Sequence, residues 1–165
     1  MRRMPIVVAV LSGLLVVPHA GAAPKPQLID PKGDYPVAGA DLVSALFVTE
    51  KKTKLVITLE FAGPVNTPIP FGYQVTFTTD DGCTWRGNFF GTTGNSSGGC
   101  TTSNTSPPTA KVAGNKIIFT VAAKGDLKPG TELSRIAASS TPGGGLAGGP
   151  GGDTGQTDAT YIVGK

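Results

Sequence analysis

The sequence predicts an all-β fold: one antiparallel β-sandwich of about eight strands, with either a jelly-roll or an immunoglobulin-like connectivity. Short apolar segments with a two-residue alternation recur along the chain, and glycine, proline and aspartate turns separate them. No segment after residue 22 has a helical period. Many short strands with frequent turns are typical of sandwiches and barrels.

Residues 1–22 are predicted to form a secretory signal peptide. Arg2 and Arg3 precede an apolar run at 6–17, and residues 20–22 are a small-residue cleavage site. A span of a bilayer needs about 20 apolar residues, so this run is too short, and no later segment is longer. We therefore expect a secreted, extracellular protein without a membrane span. Its mature form keeps 143 of the 165 residues, which suits a single domain.

Removal of this leader excludes several functional classes. The single histidine, His19, lies within it, so the mature chain would lack catalytic triads, Cys-His dyads and histidine metal sites. Loss of Arg2 and Arg3 leaves 12 basic residues against 11 acidic ones. No broad positive field would then attract nucleic acid. No two carboxylates are placed to face each other across a cleft, so we expect a protein that is not an enzyme.

The elements follow in chain order. Residues 23–40 form an extended, proline- and glycine-rich entry segment, and the sandwich domain follows at 41–165. The segment 54–61 shows the clearest alternation, with four apolar residues on one face. The eight strands are predicted at 42–48, 54–61, 71–79, 83–90, 109–113, 116–122, 131–139 and 160–163.

The connections carry strong turn signals. Residues 49–53, 80–82 and 114–115 are predicted to be hairpin turns. Residues 91–108 are predicted to be a loop rich in glycine, serine and threonine. The glycine-rich segment 142–158 is expected to be mobile or extended, because it offers few side chains to bury.

Cys83 and Cys100 are the only cysteines. In an oxidising compartment an isolated pair is expected to form a disulfide. Closing a loop of about 17 residues would stabilise the fold by roughly 3 kcal/mol. A redox or metal site is the alternative, but the pair lacks Cys-x-x-Cys spacing.

The fourth predicted strand contains a candidate ligand site. Trp85 could serve as a platform for a sugar ring, with Arg86, Asn88 and Asp81 as hydrogen-bonding neighbours. Alternation places Trp85 and Arg86 on opposite faces, unless Gly87 marks a bulge. The alternative is that Trp85 packs in the core beside the disulfide, as sandwich tryptophans commonly do.

Five aspartates form a candidate calcium site. Asp30, Asp34 and Asp41 precede the first predicted strand, and Asp153 and Asp158 precede the last one. Oxygen ligands from loops at one end of a sandwich can converge on this ion. The alternative is ordinary turn chemistry, in which aspartate is common. No other cofactor is expected.

The order of turns and strands resembles a known exported domain. An aspartate- and glycine-rich opening at 30–34 leads to a strand at 40–42 and to the segment 55–63. A Leu-x-Pro-Gly connector at 127–130 precedes a strand and an acidic loop. This order resembles the DOMON-like and family-nine carbohydrate-binding-module-like sandwiches, and it implies the sandwich fold and a glycan ligand. The haem-binding branch uses methionine and histidine ligands, which the mature chain would lack because Met1 and Met4 also lie in the leader.

These observations predict a secreted, non-catalytic binding module, with a glycan or cell-envelope polysaccharide as its ligand. The alternative is a structural or protein-interaction domain of the cell envelope. Burial of Trp85, Tyr73 and Phe89 would favour it. A small extracellular hydrolase is the second alternative, and it requires two carboxylates that converge in a pocket.

Overall fold

The chain folds into two antiparallel sheets packed face to face, which confirms the all-β sandwich. The computed structural model describes residues 23–65, 71–90, 95–99, 108–142 and 152–165, and the predicted signal peptide at 1–22 lies outside these ranges. The only helical element within them is a single 3-10 turn at Gly125–Leu127. The strands are β1 (Leu28–Ile29), β2 (Leu42–Glu50), β3 (Lys54–Phe61), β4 (Phe71–Thr79), β5 (Thr84–Phe90), β6 (Asn95–Gly99), β7 (Thr109–Ala113), β8 (Lys116–Ala122), β9 (Glu132–Pro142), β10 (Asp153–Thr157) and β11 (Tyr161–Ile162).

The strand order places the edges of the two sheets beside each other. The first sheet runs β1-β2-β3-β8-β7, and the second runs β10-β9-β4-β5-β6, with β11 also paired to β9. β1 contacts β10 on one side of the sandwich, and β6 contacts β7 on the other. These contacts cover edges that would otherwise present unpaired backbone groups. No helix within the described ranges has the length and apolar character that crossing a lipid bilayer requires.

The core lies between the sheets and follows the predicted alternation. Leu55, Ile57 and Leu59 of β3 are fully buried, and Val75 and Phe77 of β4 face them from the second sheet. All five belong to one apolar cluster. The period of two seen in the sequence therefore identifies the core-facing side of these strands.

Three edge strands were not predicted: β1, β6 and β10. β1 has only two residues in the entry segment, where Leu28 pairs with Ala45. β6 has the sequence NSSGG and β10 the sequence DTGQT, and both are poor in strand-forming residues. They form because β5 and β9 offer an open backbone edge. The expectation of a loop throughout 142–158 is therefore wrong for β10, whereas residues 143–151 lie outside the described ranges.

Candidate functional site

Four aspartates gather where β1 ends and where β2 and β10 begin. We call Asp30, Asp34, Asp41 and Asp153 the aspartate cluster. One carboxylate oxygen from each of Asp30, Asp34 and Asp153 lies within 4.8 Å of the other two. Asp41 is close enough to raise the pKa of Asp30. Asp158, the fifth predicted ligand, is exposed beyond the end of β10, outside this group of ligand atoms.

Asp153 connects the two sheets at the cluster. It is the first residue of β10 in the second sheet, and it is only 7% exposed. Its Oδ2 accepts a 2.5 Å hydrogen bond from the backbone N–H of Leu42, the first residue of β2 in the first sheet. Gly155 allows this approach, since a Cβ on it would lie 2.8 Å from Leu28 Cδ2 and 3.2 Å from Asp30 Cγ. The cluster therefore depends on close packing of β10 against β1.

Asp41 holds the loop that carries Asp34. Its Oδ2 accepts a 2.8 Å hydrogen bond from the backbone N–H of Gly33. Gly33 has φ +92°, a backbone conformation that favours glycine. Asp41 therefore stabilises a turn, as expected of these aspartates. It does so with only one of its two carboxylate oxygens.

Buried hydrogen bonds fix the segment that leads into β2. The Tyr73 hydroxyl donates to the carbonyl of Gly39 at 3.0 Å, and the Ser140 hydroxyl donates to the carbonyl of Ala40 at 2.5 Å. Burial raises the pKa of Tyr73 to about 12. Strands of the second sheet therefore determine where Asp41 stands.

Two oxygens of the cluster have no partner in the described part of the chain. Asp41 is 2% exposed, and its Oδ1 is buried without a hydrogen bond. Asp30 Oδ2 is likewise buried and unpartnered. The ion pair found among the described residues, Lys116 with Glu60 at 3.4 Å, does not involve the cluster.

Among the residues that the structure describes, no lysine or arginine forms an ion pair with the cluster, and two of its carboxyl groups have raised pKa values. Burial, followed by repulsion from Asp153, Asp34 and Asp41, raises the pKa of Asp30 to about 6. The pKa of Asp153 is also raised, chiefly by burial, although its bond from Leu42 N–H opposes the rise. A cation would relieve both effects. Carboxylate oxygens without nitrogen or sulfur neighbours are the ligands that hard cations prefer.

The predicted sugar platform at Trp85 is wrong, because its indole is buried. Trp85 is 0% exposed and stacks on Phe77 with a centroid separation of 4.8 Å and an interplanar angle of 12°. Asn88 is also buried, and it accepts a 2.8 Å hydrogen bond from Gln74 Nε2. Arg86 is exposed on the other face of β5. These side chains do not form one surface site.

Asp81 has a local role in the turn before β5. Its carboxylate accepts hydrogen bonds from the Thr79 hydroxyl and from the Cys83 backbone N–H. These bonds, that of Thr79 first, lower the pKa of Asp81. Its side chain therefore serves the turn and does not form a site with Trp85.

The bulge expected at Gly87 is also absent. Gly87 pairs with Val75 in regular register. A Cβ at this position would lie 2.6 Å from Cη2 of Trp85. Trp85 and Gly87 lie two residues apart on the same face of β5, so the indole can lie over Gly87. A side chain at position 87 would clash with it, and glycine is therefore required.

No aromatic side chain is in the exposed class, and the predicted platform residues are buried. The chain has one tryptophan, three tyrosines and seven phenylalanines, and all of them lie in the described ranges. Each is buried or half-buried, including Tyr73 at 2% and Phe89 at 0% exposure. A sugar would therefore find no fully exposed aromatic ring on this surface.

The predicted disulfide lies only partly within the described residues. Cys83, just before β5, is not a free thiol, whereas Cys100 lies outside the described ranges. Gly99, the residue before Cys100, pairs with Arg86, three residues from Cys83. This register favours the pairing, which stays a prediction.

A polar recess beside Arg135 was not predicted. It has a volume of about 410 Å³ and lies between β9 and the end of β10. Asp158, predicted as a calcium ligand, lines it together with Gln156 and Thr157. The position of Asp158 in a turn is the only feature of the sequence that points to this recess. Arg135 lies in an alternating strand, where a polar residue is not unusual.

Comparison of the chain with protein-family models, with curated proteins and with solved structures finds no match. The resemblance to DOMON-like and carbohydrate-binding-module-like sandwiches therefore stays an expectation from the sequence.

Proposed function

We propose that this protein is a non-catalytic binding module whose sandwich holds a calcium ion at the aspartate cluster. The observation that carries the proposal is the pair of buried, unpartnered oxygens on Asp30 and Asp41, in a cluster with no basic partner among the described residues. Buried polar atoms normally have a partner, and a buried charge is costly without one. A cation bound by Asp30, Asp34 and Asp153 would supply the missing partner of Asp30, and its charge would offset that of the neighbouring Asp41.

The ligand set favours calcium over other metals. Calcium takes six to eight oxygens at about 2.3–2.6 Å, so two of its ligands can be up to about 5 Å apart. The three ligand oxygens of Asp30, Asp34 and Asp153 all lie within 4.8 Å of one another, which is inside this limit. Zinc and copper favour nitrogen and sulfur ligands, which this cluster does not contain. Water and backbone carbonyls would complete the shell.

Turn chemistry alone explains only half of the cluster. Asp41 and Asp153 each use one oxygen to accept a backbone hydrogen bond. The remaining oxygen of Asp41 and the buried oxygen of Asp30 serve no turn.

Calcium titration by calorimetry tests the proposal at pH 7.5. Asp34 is exposed, so Asp34→Asn removes a ligand charge without disturbing the core. We expect one calcium per chain, with the dissociation constant of about 10⁻⁴–10⁻³ M that extracellular modules show. Asp34→Asn should weaken binding at least tenfold.

Asp158→Asn is the matched control, because Asp158 is also an exposed aspartate but lies outside the cluster. It should bind calcium as the unmodified protein does. Absence of binding by the unmodified protein, or equal losses in the two variants, would refute the cation site.

A structural or protein-interaction domain of the cell envelope is the second candidate. Burial of Trp85, Tyr73 and Phe89 favours it, because these three rings are not available to stack on a sugar. A calcium ion that ties the entry segment to β10 is compatible with this role. For the glycan ligand, which we keep as a proposal, recognition would rest on ion pairs and hydrogen bonds.

A further inference from the structure

The recess beside Arg135 exists because the outer neighbour of β9 is interrupted. Thr157 at the end of β10 pairs with Ile136, and Tyr161 at the start of β11 pairs with Leu133. Between these two pairs, residues 158–160 leave the sheet edge. The resulting volume of about 410 Å³ lies in the range of small-molecule sites. Among the described residues, its lining includes Arg135, Ile136, Ala137, Gln156, Thr157 and Asp158.

Arg135 holds an unfavourable backbone conformation at this recess. Thr76 pairs with Ala137 and Thr78 with Ser134, so two residues of β9 oppose Phe77, and β9 bulges there. Arg135 has φ +48°, a left-handed value at a bulge position where glycine is usual. Strain of this kind concentrates at ligand sites. Glycine at position 135 would relieve this backbone strain. The fold alone therefore does not explain why an arginine stands there.

The polar groups of the recess are available to a ligand. Within the described ranges, the Arg135 guanidinium, the Gln156 amide and the Asp158 carboxylate make no hydrogen bond or ion pair. Arg135, Gln156 and Asp158 are all exposed. The recess therefore offers one planar cation, one anion and one amide on an open surface.

We infer that this recess binds a carboxylate-bearing sugar unit, such as a uronate, of an acidic polysaccharide. Arg135 receives the carboxylate, because its guanidinium forms two parallel hydrogen bonds with this group. Asp158 and Gln156 accept hydrogen bonds from ring hydroxyls. A simple anion would leave Asp158 without a donor, and a neutral sugar would leave the charge of Arg135 unused. This inference rests on the proposed binding role, and it does not need the cation site.

Calorimetry with trigalacturonate tests the inference on protein freed of calcium by a chelating resin, so that its outcome is independent of the aspartate cluster. Arg135→Gly removes the guanidinium and relieves the backbone at φ +48°. We expect its affinity to fall at least tenfold while its thermal midpoint stays equal or rises. The methyl ester of the same saccharide should bind the unmodified protein at least tenfold more weakly than the acid.

Lys111→Ala is the control, since it removes one exposed positive charge from β7 of the other sheet. Its affinity should stay within twofold of the unmodified protein. The inference is overturned if the unmodified protein does not bind trigalacturonate, or if the methyl ester binds equally well. Unchanged binding by Arg135→Gly, or tighter binding of a free amino acid, would also overturn it.

Discussion

The indole of Trp85 lies in the core, stacked on Phe77 and seated over Gly87. Its Nε1 is buried without a hydrogen-bond partner among the described atoms. Trp85→Ala should therefore lower the free energy of unfolding by about 3–5 kcal/mol. Trp85→Phe should cost less, because it keeps a ring and removes the unpartnered N–H. Urea unfolding measures both changes.

The exposed neighbour Arg86 provides the control for this residue. Arg86→Ala should change the free energy of unfolding by less than about 0.5 kcal/mol, as surface substitutions usually do. If Trp85→Ala proved equally mild, the indole would not be a core residue, and a surface role would have to be reconsidered.

Tyr73 is a second residue on which the site depends. Tyr73→Phe should cost about 1–3 kcal/mol at neutral pH, since the buried carbonyl of Gly39 loses its donor. Burial raises the pKa of Tyr73 from about 10 to about 12, so the folded protein holds this proton more tightly than the unfolded chain. The stability due to this shift is complete below pH 10 and is lost as the pH rises through 12.

Urea unfolding between pH 8 and pH 11.5 measures this alkaline loss. The unmodified protein should lose stability more steeply than Tyr73→Phe above pH 10. Parallel curves for the two proteins would contradict the burial of this hydroxyl.

At the scale of elements, β10 is the strand on which the cluster depends most. Gly155→Ala would place a methyl group 2.8 Å from Leu28 Cδ2 and 3.2 Å from Asp30 Cγ. We expect a loss of about 1–3 kcal/mol, as for other overpacked positions, together with weaker calcium binding. Thr154→Ala, at an exposed position of the same strand, should leave both unchanged. Equal stability of the two variants would show that β10 does not pack closely against β1.

The pairing of β6 with β5 bears on the predicted disulfide. Titration of denatured, unreduced protein should find no free thiol, and Cys100→Ser should lower stability by roughly 3 kcal/mol. Two reactive thiols in the unmodified protein would rule the disulfide out.

The eight predicted strands were accessible from the sequence because each carries its own alternation and turn signals. β6 and β10 were not, since NSSGG and DTGQT resemble loops and become strands only through pairing with β5 and β9. The same limit applies to the site. The aspartates in turn-rich segments suggested five candidate ligands. Only the pairing of β10 shows that Asp153 belongs to the aspartate cluster, whereas Asp158 lines the recess beside Arg135.

The sequence does not identify Arg135, and for Trp85 it leaves two alternatives, of which core packing is the one observed. A left-handed bulge residue looks like any other polar residue in a strand pattern. A tryptophan between polar neighbours can face either the core or the solvent. The structure shows that Trp85 faces the core, where its indole lies over Gly87.

At the scale of the whole molecule, the aspartate cluster lies where the two sheets meet. Asp30 follows β1 of the first sheet, Asp153 begins β10 of the second, and Asp34 belongs to the entry segment. An ion among them would tie the entry segment, which carries Asp30 and Asp34, to β10, which carries Asp153 and is distant in sequence. The module would then be most stable where calcium is abundant, because a ligand that binds only the folded state stabilises it.

A crystal structure of the protein grown with millimolar calcium tests the central claim most directly. We expect one strong anomalous peak about 2.3–2.6 Å from carboxylate oxygens of Asp30, Asp34 and Asp153. The absence of such a peak, or a lysine amino group or a water in its place, would contradict it.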